Sequence, residues 1–533
     1  MNIQNLSFFF ILLVFSAALF AEENLENTEN IESGVFEDYT ISENITAPAA
    51  ERENSIYFIN SYIYEIDGIT RPFALDYKTG IFTGEEITGI SGLEKYIQDK
   101  MQILLNERLF ESVRIEYEAG PVNEEGKYPV DVVFYIKDTW NIIALPYPQY
   151  DDNTGFSITL KARDYNFLGI MSPLRLDLGY QFDKDGRNYF TLMLDSDIPF
   201  RFLNLNWNFD FDHDLQYRPE LDDNSIFYEN KTGISVELPF RRTIFTIGFT
   251  EYFILNEENQ RKYREQYGRL QEGLYMSSQP YISWRIPTGL NYFDIGEVVY
   301  TPRFSARFNH ELPDWPLADF LKGPFLDFSH SINFGSVDWI GNFRRGASFN
   351  IGNSFSYNFY NFRNDIEPLG GSLSISGAGY GIITDFLGFS VRMMYRHWFF
   401  NDICDSAGDV LRGIWDEDIS ANYMFSFNLD IPFRIFKFRP SQWFKNRKNF
   451  WRIFDFDFHL GPFIDAALYH YSNAPNNQRI FGLENLLLTA GLEAVVFPER
   501  WRSLAFRISY GRNLSIGSKE HSGEFFFGMD FHY

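Results

Sequence analysis

Cysteine is nearly missing from this chain: Cys404 is the single one in 533 residues. One thiol cannot build an intrachain disulfide framework, and at position 404 it lies too far from the N-terminus to be a lipoprotein acylation site. Long apolar runs are missing too. Beyond the N-terminus no stretch reaches the roughly eighteen apolar residues that a spanning helix needs, and the mean hydropathy is −0.25. Bases are scarce, 46 Lys and Arg against 72 Asp and Glu, and the net charge of −26 argues against nucleic acid as a partner. There is no Gly-x-Ser-x-Gly, no His-Glu-x-x-His and no phosphate-binding glycine loop, and the eight histidines are scattered without metal-ligand spacing. These absences point away from an enzyme, a cofactor and a metal site.

What the chain does have is aromatic residues, 58 Phe, 32 Tyr and 10 Trp. At the start, residues 6–20 form an apolar run, with small residues at Ser16, Ala17, Ala18 and Ala21. Residues 1–21 therefore read as an export signal; residues 1–5 carry no base, and an uncleaved anchor is the alternative. Residues 22–54 hold ten carboxylates against Arg52 and read as a disordered acidic linker.

Residues 55–139 have the pattern of one small α+β domain. A Tyr- and Ile-rich strand comes first, then a weakly marked helical region. Ser91 with Glu94 suggests a capping box, and Leu93, Ile97, Met101, Leu104 and Leu105 follow at helical spacing. Val113, Ile115 and Tyr117 alternate as a strand, and a second strand over 129–136 completes a hairpin.

From residue 140 to 533 the texture is alternation with turns. Leu203, Leu205, Trp207, Phe209 and Phe211 put one face in apolar residues, while Asn204, Asn206, Asn208, Asp210 and Asp212 make the other. At the end, Phe525, Phe527, Met529, Phe531 and Tyr533 occupy every second place. Sixteen to eighteen such segments suit a closed barrel, because closure removes the strand edges that lipid cannot hydrogen-bond. The predicted fold is mainly β, a transmembrane antiparallel β-barrel of about 16 strands behind one small α+β domain. A large soluble sandwich with one wet face is the alternative.

Leu411-Arg412-Gly413-Ile414, in a long loop followed at once by a strand, resembles the loop motif of BamA-type outer-membrane assembly proteins, which tuck an Arg-Gly-aromatic sequence into the barrel lumen. Ile414 stands where that family has an aromatic. Residues 55–139 look like one POTRA domain, Asn166-Phe167-Leu168-Gly169 is similar to the turn between the family's second and third strands, and Phe463-Ile464-Asp465 to its inward Phe-x-Asp segment. The resemblance covers about residues 55–533. It implies an outer-membrane protein with its N-terminal domain in the periplasm, inserting or folding other barrel proteins without cofactor or covalent chemistry. Its partners would be unfolded outer-membrane client proteins, outer-membrane lipid and periplasmic accessory proteins. Such bacterial assembly proteins usually carry several POTRA domains; a dedicated two-partner-like secretion pore and a passive porin or surface antigen are the alternatives.

Parity gives an independent check on the roles that the resemblance implies. If Ile464, Ala466 and Leu468 face lipid, Asp465 faces the lumen, as do Asn428 and Asp430, so Arg412 can find a carboxylate there and act with Gly413 as a latch. Pro146 and Pro148 remove donors from one edge of the first barrel strand. Facing the terminal strand with Phe525, Phe527, Phe531 and Tyr533, that strand makes a seam that could open toward lipid; alternatively the prolines end the linker and the strand begins after them. Residues 434–452 hold seven bases and no acid. Trp443, Phe444, Lys445, Arg447, Lys448 and Trp451 suggest an interfacial helix against anionic headgroups.

Overall fold

Alternation of apolar and polar residues writes two sheets into this chain, one covered by helices and one closed on itself. A computed structural model describes residues 39–45, 52–151, 155–182, 188–220, 223–255, 274–291, 296–312, 321–399, 405–406, 410–414, 420–444, 451–470, 482, 485–515 and 523–528. The reading of residues 1–21 as a signal lies outside these, as do Lys445, Arg447, Lys448, Phe531, Tyr533 and the side chains of Pro148 and Phe527.

The N-terminal domain contains β1 (Tyr39–Ile45), β2 (Ile56–Asp67), α1 (Pro72–Thr79), β3 (Glu86–Thr88), α2 (Ile90–Asn106), β4 (Phe110–Ala119) and β5 (Lys127–Asp138). Its sheet order is β1-β4-β5-β2-β3. Leu93, Ile97 and Leu104 recur on one face of α2 and pack with Ile59, Val113 and Phe134; each such burial contributes about 1.5–3 kcal/mol. Two readings are corrected here. Tyr39–Ile45, inside the segment expected to be a disordered linker, pairs as a strand with β4, because an open sheet edge offers it backbone partners that its own composition does not reveal. The capping box is also replaced. Gly89, at φ 76°, turns the chain into α2, and the Ser91 hydroxyl donates instead to Glu53 at 2.8 Å.

The second sheet starts with β6 (Ile142–Asp151), β7 (Gly155–Asp164), β8 (Leu174–Phe182), β9 (Asn188–Phe202), β10 (Leu205–Glu220) and β11 (Asp223–Phe240). It goes on through β12 (Thr243–Leu255), β13 (Leu274–Asn291), β14 (Glu297–His310), β15 (Phe325–Ile340), β16 (Phe343–Asn358), β17 (Leu369–Thr384) and β18 (Leu387–Phe399). A two-stranded pair, β19 (Asp405–Ser406) and β20 (Ser420–Ala421), precedes β21 (Tyr423–Asp430), β22 (Phe433–Phe438), β23 (Phe456–His470), β24 (Leu486–Pro498), β25 (Phe506–Asn513) and β26 (Glu524–Gly528). Nineteen of these segments form a closed antiparallel barrel in which β26 neighbours β6. β21 and β22 both lie between β18 and β23, so they are halves of one crossing interrupted at Ile431-Pro432, where proline has no donor to give. Eighteen crossings result, the upper end of the range read from the alternation.

Outward side chains such as Phe249, Phe304, Ile464 and Leu492 are exposed, while Ser426, Asp465 and Thr489 are buried inside. That polarity suits hydrocarbon outside and a polar lumen. Among the described residues no helix is long and apolar enough to cross a membrane. Leu203, read as part of a strand, instead forms a two-residue turn with Asn204 at φ 52° and 60°, because the hairpin from β9 to β10 must reverse there.

Candidate functional site

The loop between β18 and β21 is built around one side chain. Arg412 is 5% exposed and Asp465 fully buried. The arginine donates from Nε to Asp465 Oδ2 at 2.8 Å and from Nη2 to Oδ1 at 2.7 Å, a bidentate pair, and its backbone N–H adds a third bond at 3.0 Å. Nη1 lies 2.6 Å from Asp430 Oδ1 and 3.3 Å from Glu493 Oε2. The guanidinium also sits over the Phe463 ring, 3.8 Å from its centroid.

Strand register explains the gathering: Asn428 on β21 opposes Asp465 on β23, so alternation carries Asp430 and Asp465 to the same inner face. Arg392 reaches Asp430 at 3.2 Å and Arg507 reaches Glu493 at 3.5 Å. Three arginines thus meet three carboxylates, which lets a charged cluster persist away from bulk water.

Gly413 is required by both conformation and space. Its φ is 90°, and a Cβ there would lie 2.7 Å from the Gly511 carbonyl carbon on β25. The Gly413 N–H donates to Glu524 Oε2 on β26 at 2.7 Å. Leu411 and Ile414 are buried against Ala467 and Leu487, so Ile414 fills apolar space where the resembled motif has an aromatic. The five residues 410–414 consequently touch every strand from β21 to β26 except β22, and the last of these is the closing strand.

At the seam, Pro146 and Pro148 lie within β6, opposite Leu160 and Ile158 of β7, with β26 on the other side. The strand therefore does not begin after the prolines. Phe525 points outward, 62% exposed, and Phe526 inward beneath Arg507 at 4.7 Å.

The basic stretch is corrected in part. Residues 433–438 continue the barrel as β22, and among the described residues Pro440–Trp443 and Arg452–Phe454 form short helical turns, while 445–450 lie outside the described residues. Pairing to β23 satisfies the backbone better than an isolated helix would. Trp443 and Phe444 are exposed, with Phe444 stacked on Trp451 at 4.5 Å. Two of the described bases pair with carboxylates of the protein itself: Arg439 binds Asp457 at 2.6 Å and Glu499 at 2.7 Å, and Arg452 binds Glu111 of the N-terminal domain at 2.7 Å.

A group missed by the sequence reading covers one mouth of the barrel. Arg108, at φ 55° after α2, inserts its guanidinium beside the Trp339 ring, 4.4 Å from the centroid. It donates to Gly341 O at 3.1 Å, Asn342 Oδ1 at 2.9 Å and the Arg502 carbonyl. Burial pulls its pKa down to about 10, with Asp457 opposing, and it stays charged at neutral pH. Asn106 and Ser503 add bonds on the same side, to Asp338 at 3.0 Å and to Arg108 O at 3.0 Å.

Across the mouth, the Asn166-Gly169 turn meets the domain: Asn166 Nδ2 donates to Thr70 Oγ1 at 2.7 Å and Arg71 N–H to Gly169 O at 2.8 Å. A Cβ on Gly169 would overlap Ile69 O at 2.0 Å. That turn carried a sequence signal. Arg108 carried none, since a positive φ at an arginine follows only from its surroundings. Among the described residues no group of His, Cys, Asp and Glu could hold a metal ion.

No protein-family model matches the sequence, and no curated protein matches it. The fold is similar to three solved structures. BamA from Haemophilus ducreyi lacking POTRA domains 1-3 is 14% identical, with 88% of this chain and 83% of that one covered and a TM-score of 0.37. CdiB from Acinetobacter baumannii is 12% identical, with 89% and 74% covered and a TM-score of 0.47. CdiB from Escherichia coli is 10% identical, with 97% of both chains covered and a TM-score of 0.39.

Proposed function

We propose that this chain is an outer-membrane protein that inserts or folds other β-barrel proteins, with residues 55–139 a POTRA domain in the periplasm. The observation that carries the reading is the reach of one pinned loop: Arg412 is fixed on Asp465, and the next residue, Gly413, binds Glu524 on the strand that closes the barrel. A loop so held sets the position of β26 against the proline-bearing β6. The seam then opens toward lipid at low backbone cost, and an incoming strand pairs there. Energy comes from the client burying apolar residues in lipid and satisfying its backbone. No covalent step is involved. The exposed aromatics Trp443 and Phe444 anchor the rim at the lipid headgroups.

A second reading, a dedicated secretion pore, is favoured by a lumen cavity of about 670 Å³ beside the loop, lined by Arg392, Arg396, Val410 and Asn428. Reconstitution in liposomes separates the two. Accelerated folding of an unrelated barrel, lost when β6 and β26 are joined by a disulfide, supports insertion. Steady conductance without that acceleration, unchanged by the disulfide, supports the pore.

A further inference from the structure

The N-terminal sheet has two unlike edges. β3, three residues long, ends one side. On the other side β4 would be bare for ten residues without β1. A bare strand of that length is a row of unpaired amides and carbonyls, a template for any extended chain.

β1 covers it. Tyr39–Ile45 runs parallel to β4 in unbroken register, with Tyr39 on Val113, Ser42 on Glu116 and Ile45 on Ala119. This cover is held lightly. β4 and β5 separate β1 from β2, three steps or roughly 14 Å, whereas the six residues between Ile45 and the short turn Arg52–Asn54, which Glu53 ties to α2, can reach about 20 Å. The strand can therefore leave and return without disturbing the domain. While tethered, it faces the edge at an effective concentration of order millimolar. Parallel pairing is also slightly weaker per residue than the antiparallel alternative.

We propose that Tyr39–Ile45 is an internal occupant of a strand-docking edge, and that an extended segment of an unfolded barrel protein binds β4 by displacing it. The inference rests on the insertion reading, which supplies such segments. The occupant's own sequence is close to that character, with Tyr39, Ile41 and Ile45 on one parity, interrupted by Glu43, and Thr40, Ser42 and Asn44 on the other. Recognition is through the backbone, so it accepts many clients, and the tethered copy sets a threshold that weak or short strands fail to cross.

The test uses the full chain with Cys404→Ser, Ser42→Cys and Glu116→Cys, and a control in which Glu118→Cys replaces the last change. The first pair is in register and is expected to form a disulfide; the control is two residues out and is not. The probe is a fluorescent peptide of residues 38–47. It is expected to bind the reduced double-cysteine protein and to lose binding on oxidation. A chain with Ile41→Pro and Ser42→Pro, which removes the donor at either parity, should bind it roughly tenfold more tightly than the unmodified chain. No in-register disulfide, or equal affinity for oxidised and reduced forms, overturns the proposal. Neither readout depends on barrel insertion, so failure of the folding assay and failure of this inference are separate results.

Discussion

A guanidinium enclosed by Asp465, Asp430 and Glu493 has one tolerable state, charged and fully bonded. Replacing Arg412 with Ala leaves Asp465 buried and without its bidentate partner, at a cost of about 3–5 kcal/mol. The check is the urea midpoint of barrel unfolding, which should fall. Arg412→Lys should recover little, because an ammonium cannot reproduce the planar fork. Gly413→Ala should also lower the midpoint, since both its φ and its approach to Gly511 exclude a Cβ; an unchanged midpoint in all three would show that the cluster is solvated. The Arg412–Asp465 pair was legible in sequence because the loop motif resembles one that enters a barrel lumen and alternation puts Asp465 on the lumen face. Glu493 and Glu524 were not, because their positions depend on register accumulated over several hairpins.

At the scale of elements, the junction of α2 and β4 holds the N-terminal domain to the barrel, and one of its bonds is titratable. Burial raises the Glu111 carboxyl, but Arg452 at 2.7 Å and Lys137 at 3.4 Å outweigh it and hold it below the usual carboxylate range. A group depressed in this way contributes stability above its unfolded pKa and loses it as pH falls through the lower folded value. Docking should therefore be strongest at neutral pH and weaken in acid. Hydrogen exchange at residues 108–111, corrected for intrinsic rates, should show protection lost as pH falls below the usual carboxylate range, and Glu111→Gln should flatten that dependence. The helix of this junction was visible from Leu93, Ile97 and Leu104. Its start was not, because Gly89 takes its positive φ from the preceding strand pairing rather than from the residues around it.

At the scale of the whole molecule, an even number of crossings returns both barrel ends to the mouth that carries the N-terminal domain. That domain binds turns on opposite sides of it, through Asn166 and Gly169 on one and through Arg108 on the other. Arg108→Ala should release the second side and raise conductance in planar bilayers, whereas a disulfide from Thr139→Cys to Arg500→Cys, at the place where the Thr139 hydroxyl donates to the Arg500 backbone carbonyl at 2.7 Å, should return it to baseline. If Arg108→Ala left conductance unchanged, the domain would not obstruct the mouth. By itself the sequence determined the barrel and the inward or outward face of most strands, because a period of two is local and survives any global arrangement. It also determined that Arg412 would have carboxylates within reach. Only the tertiary structure decided where Tyr39–Ile45 lies, that Arg108 enters the barrel mouth, and that the loop around Arg412 extends to the closing strand. Those contacts join residues tens to hundreds of positions apart, and their geometry exists only once the sheet has closed.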